Sequence, residues 1–229
     1  MKSARSDDDL NDIGILFDLD GTLVDTAGDL VAATNHVLAH DGLPTLAVEH
    51  GRHMAGVSAK TMIDAAFRAA GRSLSAEDMP SRLERFLDYY TAHIDAHSAL
   101  FPDARTTIEA LKRCGAKLAV CTNKREALAI DLLERLHVVD MFETIVGGDT
   151  AMRPKPDPAP ALLCLERLQV SNAVFIGDSD TDLCTAKAAA LPFIAADFGY
   201  GPLDKLGPDA VTFSHYSALP SLINNAMGA

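Results

Sequence analysis

Two aspartates, Asp18 and Asp20, lie two residues apart directly after an apolar run at residues 13–17. A short apolar run of this kind is typical of a buried strand, so both carboxylates are expected at the carboxyl end of that strand. A carboxylate is ionised at neutral pH and can attack as a nucleophile without a base, while a neighbouring carboxylate can carry protons. The pair could also cap a helix or shape a turn, so a chemical role depends on partners elsewhere in the chain.

Polar residues also follow three later apolar runs. They are Thr122 and Asn123, then Lys155, then Asp178 and Asp182. Taken singly, each group could be an ordinary cap, surface or turn residue. In a parallel sheet, however, the carboxyl ends of the strands face one crevice, so all of these groups are expected to converge there with the first pair.

Four carboxylates form the candidate metal site. They are Asp18, Asp20, Asp178 and Asp182. Such a cluster, when only partly hydrated, cannot be ionised without a counter-cation. An all-oxygen donor set without His or Cys predicts a hard ion, most simply Mg²⁺.

The remaining polar groups predict an anion site beside that metal. Lys155 would add a second positive charge, and Thr122, the backbone N–H groups that follow it and Asn123 can donate to the oxygens of a tetrahedral anion. Gly21 and Thr22 are also predicted to lie against the substrate. This set of groups predicts phosphoryl transfer through an aspartyl-phosphate, although the spacing leaves open which aspartate of the first pair attacks and which carries protons.

The elements that must position these residues alternate between strand-like and helical patterns. The strand-like runs are residues 13–17, 117–121, 144–146, 173–176 and 192–195. The helical patterns between them are residues 104–114, 125–136, 158–168 and 182–190. Continuous apolar strands joined by helices predict an α/β fold, a doubly wound parallel sheet with both faces covered.

Residues 26–98 interrupt this alternation with helical patterns alone. We therefore predict a helical cap domain inserted between residues 13–25 and 99–229, which form the core, and a disordered acidic tail at residues 1–12. Because the insertion begins directly after the aspartate pair, it is expected to overhang the strand end as a lid. The alternative is a helical bundle that docks elsewhere and serves stability.

The overall charge restricts the classes of partner. The 229 residues include 20 basic and 32 acidic side chains, a formal charge of −12, which argues against nucleic acid and anionic membrane. The sequence has no run long enough to span a bilayer and no apolar signal-peptide core, so a cytoplasmic location is expected. The four cysteines form no CxxC pair and are predicted to be buried free thiols. A monomer and a homodimer both remain open.

The ordered motifs resemble those of the haloacid dehalogenase-like hydrolase superfamily, and most closely its phosphoglycolate phosphatase branch. They are Asp18-x-Asp20-Gly21-Thr22, Thr122-Asn123, Lys155-Pro156, Gly177-Asp178-Ser179-x-x-Asp182 and, for that branch, Thr122-Asn123-Lys124 and Phe198-Gly199-Tyr200-Gly201. The resemblance covers nearly the whole chain from about Ile13. It implies a Rossmann-like core, a helical cap that closes over the substrate, and Mg²⁺-dependent hydrolysis of a small phosphomonoester metabolite.

The resemblance also implies a role for each motif residue. Asp18 would be the nucleophile and Asp20 the general acid and base. Thr122 would bind the phosphoryl group, and Lys155 would neutralise Asp18 and the phosphoryl oxygens. The implied Mg²⁺ ligands are the Asp18 carboxylate, the Asp20 backbone carbonyl and Asp178, with Asp182 supporting them through a water or a hydrogen bond.

Within the superfamily, several reactions are distinguished by single residues. The dehalogenases lack the counterpart of Asp20, and the pattern around Lys60 does not match the cap lysine of the phosphonate-cleaving branch. A phosphosugar mutase stays open, as does a non-catalytic phosphate- or metal-binding protein. In the cap, Arg52 is the predicted substrate contact, while His53 and Lys60 could contact a carboxylate or a sugar or lie on the surface. Asp103 follows a proline where the family often has glycine, and it could face the cleft.

Overall fold

The computed structural model describes residues 10–54 and 58–228, which contain eight strands. They are β1 (Ile13–Phe17), β2 (Val24–Asp25), β3 (Ala99–Leu100), β4 (Lys117–Cys121), β5 (Thr144–Val146), β6 (Asn172–Gly177), β7 (Phe193–Ala196) and β8 (Val211–Phe213). Six of them form one parallel sheet in the order β5-β4-β1-β6-β7-β8. The predicted α/β architecture is confirmed. The edge strand β8 was not predicted, because only three residues form it and the first two are exposed.

The register of the central strands brings their carboxyl ends to one level. Phe17, the last residue of β1, is paired with Val120 of β4 on one side and with Ile176 of β6 on the other. The chain leaves β1 for β4 and β5 and then crosses to β6 on the opposite side, so the order reverses around β1. A reversal of this kind opens a crevice beyond the strand ends.

Nine α-helices occur in the described residues. They are α1 (Ala27–His40), α2 (Val48–Gly51), α3 (Ala59–Ala69), α4 (Met79–Ala92), α5 (Ala104–Arg113), α6 (Glu126–Arg135), α7 (Ala159–Leu168), α8 (Asp180–Ala188) and α9 (Leu219–Gly228). The two faces of the sheet bury separate apolar clusters, with Ile15 and Phe17 in one and Leu16 in the other. Helix residues belong to both clusters, Ile108 of α5 to the first and Cys164 of α7 to the second, so helices cover both faces of the sheet. No helix of the described part of the chain is long and apolar enough to cross a membrane.

The helices α1 to α4 form an insertion between β2 and β3. These two short strands pair antiparallel, Val24 with Leu100 and Asp25 with Ala99, and so close the base of the insertion. Inside it, α1 packs against α3 and α4, and the buried side chains include Val37, Phe67 and Phe86. Apolar residues at helical spacing therefore give the insertion a core of its own that continues into the main one.

Two expectations about the chain differ from the structure in detail. Of the predicted tail, residues 1–9 lie outside the described residues, but Leu10 is buried and its N–H donates to the Cys114 carbonyl at 2.9 Å. Packing therefore begins before Ile13, because Leu10 offers an apolar side chain to the core. The cysteines are free as predicted, yet Cys184 is exposed and Cys114 is half-buried, so the predicted burial was correct for Cys121 and Cys164 and wrong for the other two.

Candidate active site

The polar residues that follow the central strands meet at one edge of the sheet. Asp18 comes directly after β1, Thr122 after β4 and Asp178 after β6, and all three are buried. Beside them lies a cavity of about 230 Å³, whose opposite wall is formed by the helical insertion. Its lining includes Asp18, Asp20, Leu30, Ser58, Ala59, Lys60, Leu83, Phe86, Leu87, Tyr90, Thr122, Asn123, Lys124, Arg125, Leu128, Lys155, Ser179 and Thr181.

Lys155 is the buried cation of this edge. Its Nζ lies 2.7 Å from the Asp18 carboxylate and 2.6 Å from that of Asp182, and only 2% of its side chain is exposed. Asp182 is the third residue of α8, where its other oxygen accepts from the backbone N–H and the hydroxyl of Ser179 in a capping box. Asp182 is therefore fully hydrogen-bonded and fixes Lys155 in front of Asp18.

Asp178 completes a group of three carboxylates. One oxygen each of Asp18, Asp178 and Asp182 lies within 4.8 Å of the others. Asp178 is held by the Thr22 hydroxyl at 3.1 Å and by the Tyr200 N–H at 2.6 Å.

Burial and the neighbouring carboxylates raise the pKa of this group. Burial and then Asp182 raise the pKa of Asp18 to about 8 against the opposing effect of Lys155, and the same two causes raise that of Asp178 to about 6. One lysine does not offset three buried carboxylates. An oxygen-only site with this excess of negative charge fits a hard divalent cation, which Asp18 and Asp178 would hold directly.

Asp20 stands apart from that group. Its carboxylate accepts from Lys124 Nζ at 2.8 and 3.0 Å and from the Thr26 hydroxyl at 2.7 Å. Lys124 is 5% exposed on its side chain, and its Nζ lies 4.8 Å from the ring centroid of Tyr90 on α4. From the sequence, Lys124 was noted only as the third residue of the motif Thr122-Asn123-Lys124, without a role of its own. Its place after Thr122 and Asn123 was the available signal.

Three residues predicted to touch the substrate are engaged within the protein. Gly21 has φ +86° and a Cβ built there would lie 2.6 Å from the Asp178 carboxylate, so this position requires glycine. Thr22 is fully buried and bonds Asp178, and neither residue lines the cavity. Asn123 does line it, but its side chain amide bonds the Lys155 backbone N–H and carbonyl at 2.9 and 3.1 Å. Thr22 and Asn123 therefore hold Asp178 and the Lys155 backbone in place, and Gly21 leaves room for the Asp178 carboxylate.

Of the further residues that could contact substrate, three lie in the insertion and one in the core, and the structure separates those that line the cavity from those that do not. Lys60 lines the cavity, whereas Arg52 does not, and the Arg52 guanidinium instead contacts the Asp25 carboxylate at 2.7 Å. His53 does not line the cavity and is exposed. Asp103 is exposed in a left-handed conformation with φ 63° before α5, also outside the lining. Of these four residues, Lys60 is the one that lines the cavity.

Comparison with known proteins agrees with this geometry. Residues 15–196 match the family model described as haloacid dehalogenase-like hydrolase. The chain belongs to the haloacid dehalogenase-like hydrolases. The matched segment includes Asp18, Thr122, Lys155 and Asp178, the residues that meet at the sheet edge.

Several relatives of this hydrolase carry a more specific name. A phosphoglycolate phosphatase of Caulobacter vibrioides is 43% identical over 210 residues, covering 90% of this chain and 89% of the relative. One from Agrobacterium fabrum is 39% identical over 211 residues, covering 90% and 91%. The solved structure of a predicted phosphoglycolate phosphatase from Haemophilus somnus 129PT superposes with a TM-score of 0.83 at 27% identity, covering 93% and 97%. The hydrolase is accordingly an enzyme of the phosphoric monoester hydrolase class.

A tyrosine beyond β7 connects this hydrolase's core to its insertion. The Tyr200 hydroxyl accepts from the N–H groups of Thr26 and Ala27 at 2.6 and 2.9 Å and donates to Asp25 at 2.8 Å. It therefore caps the first turn of α1 from across the molecule, a contact that no local sequence pattern reveals. The guanidinium of Arg52 lies 5.3 Å from the centroid of the same ring.

Tyr200→Phe is expected to lower the free energy of unfolding by about 1–3 kcal/mol, because it leaves the buried Thr26 N–H without an acceptor and the Ala27 N–H with only a long contact of 3.4 Å to Asp25. Urea unfolding of the hydrolase measures this change. Tyr89→Phe, which removes a hydroxyl from a partly buried tyrosine of the same insertion, is the matched control and is expected to change it by less. Equal effects of the two substitutions would contradict the capping role.

Mg²⁺ is expected to raise the melting temperature of the hydrolase by about 3–6 °C at a concentration about tenfold above its Kd, because the ion offsets the buried carboxylates. Asp178→Asn is expected to abolish this rise. Asp180→Asn should retain it, since that carboxylate lies two residues away and 46% of its side chain is exposed. Thermal denaturation with and without Mg²⁺ tests both, and an undiminished rise in Asp178→Asn would exclude a metal at this group.

Proposed function

We propose that the protein is a Mg²⁺-dependent phosphatase that hydrolyses a small phosphomonoester of the 2-phosphoglycolate type through an aspartyl-phosphate on Asp18. The observation that carries the proposal is the Asp18 carboxylate itself. It lies at the end of β1, lines the cavity and is 2.7 Å from the buried Lys155 ammonium. A nucleophile beside a fixed cation is what attack on an anionic phosphoryl group requires.

In the first step, a carboxylate oxygen of Asp18 attacks phosphorus and the bond to the leaving alkoxide breaks. Asp20, which lines the same cavity, gives that alkoxide its proton. In the second step, Asp20 takes a proton from water as the water attacks phosphorus, and the bond between phosphorus and Asp18 breaks. Inorganic phosphate leaves and both carboxyl groups return to their starting states.

Three groups of the chain bind and orient the phosphoryl oxygens. Lys155 neutralises their charge, and the Thr122 hydroxyl, which accepts the Lys124 N–H at 3.1 Å, keeps its own hydrogen to donate. The Asn123 N–H donates to no described residue and is free for an oxygen. Bound at Asp18 and Asp178, Mg²⁺ would supply the positive charge that keeps Asp18 ionised and offsets the charge of the phosphoryl group. The implied part of the Asp20 carbonyl in that shell stays a prediction.

The substrate class is supported by the relatives and by the cavity. Phosphoglycolate phosphatases are 43% and 39% identical to the chain over most of its length. The volume of about 230 Å³ suits a small molecule. Lys60, Lys124, Arg125 and Lys155 outnumber the two acidic lining residues in a chain of formal charge −12. A small dianionic or trianionic ester matches this local excess of positive charge. A cytoplasmic location and a monomeric or homodimeric state remain predictions of the sequence.

Phosphate release from 2-phosphoglycolate, p-nitrophenyl phosphate and a panel of sugar phosphates tests the proposal. We expect release that requires Mg²⁺, stops with EDTA and is fastest for 2-phosphoglycolate. Activity that survives EDTA would contradict the metal requirement. Conversion of a sugar phosphate into an isomer without net phosphate release would indicate a mutase, and tight phosphate binding without turnover would indicate a binding protein.

A further inference from the structure

We propose that the side of the cavity formed by α3 and α4 is a subsite for a carboxylate group of the substrate, and that Lys60, Lys124 and Tyr90 form it. The inference rests on the proposed function, which it deepens by assigning residues to the non-reacting end of the substrate. It follows from four properties of that side of the cavity.

The first property is the separation of the cavity into two ends. Asp18, Thr122 and Lys155 belong to the strand ends and account for the phosphoryl group. Lys60 and Tyr90 come from the insertion on the opposite wall, and no phosphoryl role uses them. A second polar group of the substrate would therefore reach them when the ester is bound to Asp18.

The second property is the amino terminus of α3, which opens on the cavity. Ser58, Ala59 and Lys60 all line the cavity, and the Ser58 hydroxyl caps the helix by accepting the Thr61 N–H. The first turn carries no acidic residue. Asp64, one helical turn after Lys60, pairs with Arg68. Lys60 itself makes no ion pair with a described residue, so its charge adds to the positive end of the helix dipole.

The third property is the Tyr90 hydroxyl. Tyr90 is 2% exposed, and among the described residues its hydroxyl is the one buried side-chain polar atom without a hydrogen bond of good geometry. The neighbouring Lys124 ammonium can only donate to the hydroxyl oxygen, so the hydroxyl hydrogen has no acceptor. Burial raises the pKa of Tyr90 to about 12, so the hydroxyl remains protonated and able to donate. A buried donor that lines a cavity and lacks an acceptor indicates that a ligand supplies the acceptor.

The fourth property is the position of Lys124 between this hydroxyl and the catalytic pair. Its ammonium contacts the Asp20 carboxylate at 2.8 Å and lies 4.8 Å from the Tyr90 ring centroid. An ammonium has three donors, so Lys124 can contact a ligand carboxylate without leaving Asp20. The carboxylate of the substrate would then sit among two ammonium groups and one hydroxyl.

The rest of this wall argues for a carboxylate over a sugar. Leu83, Phe86 and Leu87 of α4 line it, and Leu30 and Leu128 extend the apolar surface. Several hydroxyl groups of a sugar would lose water against these side chains without gaining partners. A single planar carboxylate places its two acceptor oxygens against the few donors present and leaves the apolar wall to the short carbon chain.

Two esters that differ only at this end test the proposal: 2-phosphoglycolate, and 2-hydroxyethyl phosphate, which has a hydroxymethyl group in place of the carboxylate. We expect the wild-type enzyme to prefer the first by about 10²-fold in kcat/KM. Lys60→Met should lower that preference by about 10-fold or more, mainly by raising KM for the carboxylate ester, and Tyr90→Phe by about 3- to 10-fold. Lys60→Arg should restore most of the preference, and Lys187→Met, at an exposed lysine of α8, is the control.

The possible outcomes distinguish a failure of the carboxylate subsite from a failure of the proposed function. If both esters are hydrolysed and the preference is the same in Lys60→Met and Tyr90→Phe as in the wild type, the subsite is refuted and the phosphatase stands. If neither ester is hydrolysed, the proposed function fails, and calorimetric binding of the same two compounds decides the subsite. Binding of 2-phosphoglycolate that weakens about 10-fold in Lys60→Met, with 2-hydroxyethyl phosphate less affected, would support it, and equal binding would overturn it.

Discussion

Asp18→Asn is expected to lower kcat by about 10⁴- to 10⁶-fold, the scale on which enzymes lose rate when a covalent nucleophile is removed. The carboxamide keeps the shape of the side chain but cannot attack phosphorus, and it contributes no charge to the metal site. Asp18 is the group at the end of β1 that combines exposure to the cavity with contact to Lys155. Phosphate release under saturating 2-phosphoglycolate and Mg²⁺ measures the loss.

The control for this variant is Asp103→Asn. It removes the same charge from an exposed residue with φ 63°, a conformation that asparagine tolerates, so its activity should match the wild type. A loss in Asp103→Asn as large as in Asp18→Asn would show that charge, and not the nucleophile, explains the effect.

Asp18→Asn is expected to fold. The raised pKa of Asp18 predicts how the free energy of unfolding of the wild type changes with pH relative to that of the variant. Because burial raises that pKa from 3.8 to about 8, the folded protein without metal favours the protonated form, and this contribution to stability is lost as pH rises across that interval. Asparagine does not titrate. Without divalent cations, the free energy of unfolding of the wild type should therefore fall relative to that of the variant between pH 4 and pH 8, as urea unfolding would show.

Lys155→Met should have the second-largest effect, a loss of about 10²- to 10³-fold in kcat together with about 3–5 kcal/mol of stability. Lys155 is the shared partner of Asp18 and Asp182, and its removal leaves both carboxylates buried without their cation. Burial lowers the pKa of Lys155, but the charges of Asp18 and Asp182 outweigh it and hold that pKa above its ordinary value, so the lysine is charged at neutral pH.

Lys187→Met provides the comparison, because that lysine lies on the exposed side of α8 and forms no part of the cavity lining. Its kcat and its urea midpoint are expected to stay at the wild-type values. A Lys155→Met enzyme with full activity would refute the role of Lys155 in neutralising the phosphoryl group.

Sequence patterns predicted which polar residues meet at the sheet edge wherever such a residue directly follows a strand. Asp18, Thr122 and Asp178 each come after a continuous apolar run, and the shared level of parallel strand ends brings them together. The same reasoning predicted five of the six strands of the main sheet. The position of a residue relative to a strand end can therefore be predicted from the sequence alone.

Contacts between distant segments could not be predicted in this way. The Lys124 side chain reaches Asp20 across 104 residues of sequence, and Tyr200 reaches Thr26 across 174. Arg52 is an example in the other direction. It was predicted to contact the substrate as a basic residue of the cap, but in the structure its guanidinium pairs with Asp25. Such pairings depend on how the insertion packs on the core, and no local periodicity encodes that.

Trapping the intermediate tests the central claim most directly. In Asp20→Asn the nucleophile and Lys155 remain, while the group that protonates the leaving alkoxide and then activates water is gone. Phosphorylation of Asp18 should be slow and dephosphorylation slower still, so phosphorylated enzyme should accumulate after mixing with 2-phosphoglycolate and Mg²⁺. Mass spectrometry of the rapidly quenched protein should show one added phosphoryl group, located at Asp18 after borohydride reduction and peptide mapping. A phosphoryl group on another residue, or phosphate release at the wild-type rate with no phosphorylated enzyme, would contradict the mechanism.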